Sequence, residues 1–259
     1  MQLITVDIGN SSTKIAFVDP GDCERWSYQT EFGGGAPITL EALANLKSPA
    51  FWSVSSVNLE HLTQLQQWVT SNRPDDVFHE ISESDVQLKS NVESRERLGR
   101  DRLVAAWTSV MLNQQSGSII VVDAGTATTI DLIDENDVFQ GGHIFPGAES
   151  NFHQLAENTS ALPDLSNEKR NGRFLDLNFG TIGKSTSQAI LQGVYQAQIS
   201  AIRGIVESIS SNQTDEPAVF ATGGGIKDIS EFLPSHWRFV PDLVLLGAKA
   251  IGQERIAKG

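Results

Sequence analysis

The chain has 259 residues, 39% of them apolar and 20% charged, an ordinary globular balance with material for two compact halves or one large domain. Its formal net charge is −13, with 19 Lys and Arg against 32 Asp and Glu. That argues against a nucleic-acid partner, but is silent on a phosphorylated ligand held by backbone N–H groups, a few placed cations and a metal ion.

The first strand-like run is QLITVDIGN, and SSTKIAFVD resumes as a second strand after the Gly9-Asn10 turn. A turn at Asp19–Asp22 leads to the strand RWSYQTEF, and Gly33-Gly34-Gly35 reads as a surface loop. The order then becomes helix (TLEALANLK, 39–47), strand (AFWSVSSV), helix (LEHLTQLQQWVTSN) and strand (DVFHEIS). After the polar ESDVQLKSNVESRER comes a helix in GRDRLVAAWTSVMLNQQ, with Leu103, Trp107, Val110 and Met111 on one face.

SIIVVDAG has the continuous β-branched run of a buried central strand. TTIDLID pairs with it, and NDVFQGGHIFPG ends in a Gly/Pro loop. A long helix over roughly 181–210, the strand-and-loop AVFATGGG and a closing helix in LVLLGAKAIGQERIA complete the chain. A boundary near NQQSG divides the chain into expected domains at 1–115 and 116–259.

Cys23 is the single cysteine, so no intrachain disulfide is possible and a reducing compartment fits. The start shows no basic-then-apolar leader, and no run approaches the ~18 apolar residues of a membrane span. A cytoplasmic protein with no membrane partner is expected. The five histidines have no metal-ligand spacing with Cys or with each other.

The chemistry concentrates in a repeated element. DIGNSST (7–13) and DAGTATT (123–129) both read Asp-x-Gly-x-x-x-Thr, 116 residues apart at each matching position. Each follows an apolar strand. A glycine-hinged, hydroxyl-rich turn can aim N–H and O–H groups at a phosphate. Its Asp would be repelled by that phosphate, and so is suited to hold a metal ion or a water on it. One copy alone is an ordinary hairpin turn; two in register argue for a polyphosphate gripped from both sides. Thr222-Gly223-Gly224-Gly225 forms a third glycine loop after a strand. Gly180–Ser185 resembles the end of a P-loop, but residue 178 is Asn where a Gly is required.

In GRDR, Asp101 opens a helix, which the helix dipole favours without any catalysis. Flanked by Arg100 and Arg102, the same carboxylate stays ionised and can orient a hydroxyl for in-line attack. Spacing alone leaves both readings open.

Taken together, DIGNSSTK, GRDR, DAGTATT, GGHIFPG, STSQAILQG and TGG, in this order, resemble the type III pantothenate kinases, within the acetate and sugar kinase/Hsp70/actin superfamily. The resemblance implies an α/β fold of two duplicated ribonuclease-H-like (actin-like ATPase) domains, with mixed central sheets and a nucleotide cleft. It implies ATP-dependent phosphorylation of pantothenate to 4′-phosphopantothenate, the first step toward coenzyme A.

By the same resemblance Asp7, Ile8, Gly9, Asn10, Ser11, Ser12, Thr13 and Lys14 wrap the ATP phosphates, with Asp7 near Mg2+. Thr126 contacts ATP, and Asp123 holds a monovalent cation, K+ or NH4+. Asp101 is the general base, while Gly99, Arg100, Arg102 and Thr186 shape the pantothenate pocket. That pocket is completed in a homodimer. The helix after Asp101 is apolar on more than one face, which burial within the chain or a partner subunit would explain, and the resemblance favours the partner. Arg100, Val92 and Leu246 stand where the family usually has a small or apolar residue, a Tyr and a Glu. A phosphohydrolase or a non-catalytic nucleotide-binding regulator on the same fold are the alternatives.

Overall fold

The computed structural model describes residues 1–19, 22–33, 49–166 and 182–258. The expected helix over 39–47, and Gly34 and Gly35 of the glycine run, lie outside the described residues. The chain forms two units: Met1–Leu112 with Asp242–Gly259, and Asn113–Pro241.

In the first unit, β1 (Gln2–Ile8), β2 (Ser12–Asp19), β3 (Asp22–Gly33), β4 (Ala50–Ser56) and β5 (Val77–Glu80) make one sheet in the order β3-β2-β1-β4-β5. β1 and β2 pair antiparallel, as do β2 and β3, whereas β1–β4 and β4–β5 are parallel. Side chains alternate across the sheet. Ile4, Val6, Ile8, Ile15, Phe17, Trp52 and Val54 form one core with Leu62, Leu65 and Val69 of α1 (Leu59–Asn72). Those three helical residues fall at i, i+3 and i+7, the stripe an amphipathic helix buries. Asn58 caps α1 by accepting the His61 N–H at 3.1 Å.

α2 (Arg100–Leu112) and α5 (Leu243–Lys258) pack against each other, and α5 also lies on β1 and β4. Two glycines on α5 permit this approach. A Cβ on Gly247 would collide with Thr108 and Val104, and one on Gly252 with Leu3 and Ser53. Residues 242–258 therefore return to the first unit, whereas the expected boundary places them with the second. Arg255 of α5 is also paired with the buried Asp85.

The packing also accounts for the apolar breadth of α2. Leu103, Val104, Ala105 and Ala106 are buried within this chain, Trp107 and Val110 are half-buried, and Met111 is 44% exposed. Intrachain burial thus explains most of the pattern that the sequence left open to a partner subunit.

The second unit repeats the plan. Here β6 (Ile119–Ala124), β7 (Ala127–Ile133), β8 (Val138–Pro146), β9 (Ala218–Thr222) and β10 (Arg238–Phe239) run in the order β8-β7-β6-β9-β10. The senses are the same: antiparallel across β6–β7–β8, parallel across β6–β9–β10. This is the duplicated ribonuclease-H-like arrangement with mixed sheets. α4 (Thr186–Ser210), following α3 (Ala148–Glu157), buries Ile190, Val194, Tyr195, Ile199, Ile202 and Val206 against Ile120, Val122, Ile130, Val219 and Ala221. Among the described residues, no helix is long and apolar enough to cross a membrane.

Candidate active site

In the first unit the β1–β2 hairpin carries DIGNSSTK. Gly9 N–H donates to Ser12 O at 2.9 Å and closes the turn. Asn10 and Ser11 are exposed at its tip, while Asp7, Ser12 and Lys14 are half-buried. Ile8 and Thr13 are a cross-strand pair, both buried. Their side chains belong to the core, so their offering to a nucleotide is backbone.

The two acidic turns differ in length. The last pair of the first hairpin is Ile8 with Thr13, and of the second Ala124 with Thr128. The first turn is thus one residue longer, and Asp7 lies opposite Lys14 whereas Asp123 lies opposite Thr129. A one-residue change of register moves side chains to the other face. The structural counterpart of the buried Thr13 is therefore the buried Thr128, not Thr129, and the counterpart of Lys14 is Thr129. Gln198 of α4 donates to the Thr128 hydroxyl at 3.2 Å and ties this hairpin to the core.

Around Asp123 the second unit builds a tight nest. Gly147 N–H donates to Thr126 O at 2.9 Å, and the Ser150 hydroxyl donates to the same oxygen at 2.6 Å. Gly225 N–H donates to Ala124 O at 2.8 Å. Gly223 has φ +91°, and a Cβ there would collide with the Asp123 carboxylate and the Ala124 carbonyl. Glycine is required there both for its conformation and for space. A Cβ on Gly224 would meet nothing within 4 Å. Thr126 is exposed.

Gly99–Arg102 forms the entrance to α2. The Arg102 N–H donates to Asp101 Oδ1 at 2.7 Å. A Cβ on Gly99 would stand 2.6 Å from that oxygen, so glycine makes room for the carboxylate to fold back over the helix start. Burial pushes the Asp101 carboxyl above its ordinary range, partly offset by the Arg102 N–H and guanidinium. A carboxylate less at ease as an anion is a better proton acceptor. Arg100 Nη1 is buried, with no hydrogen-bond partner among the described residues. Thr186, the first residue of α4, is exposed, and its neighbour Ser185 caps the helix by accepting the Gln188 N–H at 3.3 Å.

The donors fit a nucleotide triphosphate with its cations. Hydroxyls, backbone amides and the Lys14 ammonium suit phosphate oxygens, and Asp7 and Asp123 suit oxygen-seeking ions. Sequence reasoning passed over Gly147 and Ser150 as a clamp on Thr126. It also passed over the residues beside each Asp on the parallel side, Ser55 for Asp7 and Thr222 for Asp123. The signal for Ser55 was present, since Ser53 and Ser55 are alternating polar positions between the apolar Trp52 and Val54 and the strand-ending Ser56.

Two mixed sheets of one topology, each with an acidic turn after its central strand, define an actin-like ATPase or sugar-kinase fold. Similar solved structures are a conserved Baf family protein from Campylobacter jejuni (TM-score 0.58, 20% identity, 98% of this chain and 99% of that one), the activator of 2-hydroxyisocaproyl-CoA dehydratase from Clostridium difficile (0.51, 11%, 100% and 98%) and an archaeal actin homolog (0.50, 13%, 98% and 100%). At these identities they speak for the fold alone.

Residues 3–208 match the family model described as type III pantothenate kinase. The type III pantothenate kinase of Sulfurihydrogenibium sp. (strain YO3AOP1) is 28% identical over 245 residues, covering 89% of this chain and 91% of that one. That of Caulobacter vibrioides is 27% identical over 256 residues, covering 95% of each. The chain belongs to the type III pantothenate kinase family.

Proposed function

We propose that the chain transfers the γ-phosphoryl group of ATP to the primary hydroxyl of pantothenate, giving 4′-phosphopantothenate and ADP, the first step toward coenzyme A. The observation that carries this reading is the reach of the family match, residues 3–208, which takes in both acidic turns, Gly99–Arg102 and Thr186. ATP with Mg2+ supplies the activated phosphoryl group.

The chain's own residues do the rest. The turn hydroxyls, backbone amides of residues 8–13 and Lys14 hold the phosphates, Thr126 contacts the nucleotide, and Asp7 carries Mg2+. Asp123, backed by Gly223, holds the monovalent cation. The pantothenate hydroxyl gives its proton to Asp101 as its oxygen bonds to phosphorus and ADP departs, so charge and atoms balance. Arg102, the Gly99–Arg100 backbone and Thr186 position the acceptor. Desolvation of Asp101, the cause of its raised pKa, supports its role as base. The enzyme acts in the cytoplasm as a homodimer, with the exposed Met111 beside Trp107 and Val110 as the apolar strip a second copy covers.

ADP production with ATP in the presence and absence of pantothenate tests the reading. Pantothenate-dependent ADP is the expected result. Pantothenate-independent phosphate release would make the chain a hydrolase, and ATP binding without turnover a regulator.

A further inference from the structure

Three residues stand in a row across the first sheet: Lys14 on β2, Asp7 on β1 and Ser55 on β4, joined by the registers Asp7 to Lys14 and Asp7 to Ser55. Side chains in register on neighbouring strands share a face. The second sheet has the same row in Thr129, Asp123 and Thr222. The fold therefore places a hydroxyl beside each acidic residue, although SSV and TGG have little in common as sequence.

The two hydroxyls differ in what they do. That of Thr222, 3% exposed, donates to Pro241 O at 3.3 Å. Ser55 is fully buried, and its hydroxyl has no hydrogen-bond partner among the described residues. Buried hydroxyls are normally paired, and one left unpaired lowers stability. Ser53, two residues earlier on the same face, is likewise unpartnered, but it sits under Gly252 beside Thr5 rather than beside Asp7. Of these two unpartnered serines, Ser55 is the one that adjoins an acidic residue of the candidate site.

We propose that Ser55 is a positioning residue for Asp7. Its hydroxyl donates to the Asp7 carboxylate once that carboxylate carries Mg2+, fixing which oxygen turns toward the ion. Outer partners of this kind orient metal-binding carboxylates and tune affinity. The inference rests on the assignment of Mg2+ to Asp7 under the proposed function.

The test compares wild type, Ser55→Ala, Ser55→Thr and Asp7→Asn by two readouts that need no turnover. One is Mn2+ affinity in the presence of a non-hydrolysable ATP analogue, from the electron paramagnetic resonance of free Mn2+. The other is thermal unfolding in EDTA. Ser55→Ala is expected to weaken Mn2+ binding by about 10–100-fold, while its melting temperature in EDTA is unchanged or higher, because an unpaired buried hydroxyl has gone. Ser55→Thr, which keeps the hydroxyl as Thr222 does, is expected to hold Mn2+ like the wild type. A parallel fall in stability and affinity in Ser55→Ala would reduce Ser55 to packing and overturn the proposal. So would unchanged Mn2+ affinity in Ser55→Ala when Asp7→Asn loses it. Unchanged affinity in Asp7→Asn would remove the metal from Asp7 itself, and this inference with it. Pantothenate-dependent ADP formation by the wild type reports separately on the proposed reaction.

Discussion

Gly223→Ala would put a methyl group onto the carboxylate that the proposed cation site depends on. The backbone at 223 has φ +91°, which costs an L residue about 1–2 kcal/mol. The new Cβ would also collide with Asp123 Oδ1 and the Ala124 carbonyl, both part of the strand end that Gly225 N–H holds. Forcing such a group into a filled space costs about 1–3 kcal/mol. The expected loss is thus about 2–5 kcal/mol, a large share of the ~5–15 kcal/mol of a typical domain. For a chain of this size it lowers the melting temperature by roughly 4–20 °C. Gly224→Ala is the control, since its Cβ meets nothing within 4 Å and should change stability by no more than about 0.5 kcal/mol. Thermal and urea unfolding of both variants, with pantothenate-dependent ADP formation titrated against potassium, measure the two consequences. Gly223→Ala should also need more potassium, because Asp123 is displaced. Equal stability of the two variants, or an unshifted potassium response in a destabilised Gly223→Ala, would refute this account of the loop.

Asp101→Asn should lower turnover by about 10²–10⁴-fold with ATP affinity kept, as steady-state kinetics and nucleotide titration would show. Burial raises the Asp101 carboxyl, so the acidic limb of kcat/KM should lie above an ordinary aspartate's 3.8, with activity lost as pH falls through it. The same shift contributes stability below the unfolded-state pKa that is lost as pH rises through the folded one. Asp101→Asn should therefore melt higher than the wild type at neutral pH, and calorimetry against pH checks the sign. Asp123→Ala should abolish stimulation by added potassium or ammonium, read in a sodium-only buffer with and without each ion. Gly247→Ala should shift α2 through Val104 and Thr108, lowering the melting temperature and turnover together; Gly193→Ala, with open space around its Cβ, should do neither. In a homodimer with shared sites, mixing inactive Asp101→Asn and Thr186→Arg subunits should restore part of the activity; a monomer by light scattering would refute it.

Much of the plan was legible in the chain itself. The helix over LEHLTQLQQWVTSN was legible because its apolar residues keep a 3.6-residue period; its Asn58 cap emerged only in the structure. The acidic turns were visible because the same Asp-x-Gly-x-x-x-Thr pattern follows two apolar strands, whereas one copy alone is an ordinary hairpin turn. Gly99 was visible as part of GRDR, but not as the space into which the Asp101 carboxylate folds. Gly147 and Ser150 were hidden because their partner, the Thr126 carbonyl, is backbone and carries no residue identity.

The sequence by itself determined most of the strands and helices, where the acidic turns lie and which family the motifs resemble, because periodicity and turn residues act over a few positions. It passed over α3 (Ala148–Glu157) and began the long helix near 181, where the structure begins it at Thr186. Only the tertiary structure decided that the closing helix returns to the first unit: an apolar helix with two glycines can pack on any matching surface, and here Val104, Thr108, Leu3 and Ser53 provide it. Pairing registers, too, are set by contacts between strands. They showed that a 116-residue repeat conceals turns of unequal length, so that Lys14 faces Asp7 where Thr129 faces Asp123. They also placed Ser55 beside Asp7, across the parallel pairing of strands some forty residues apart in the chain.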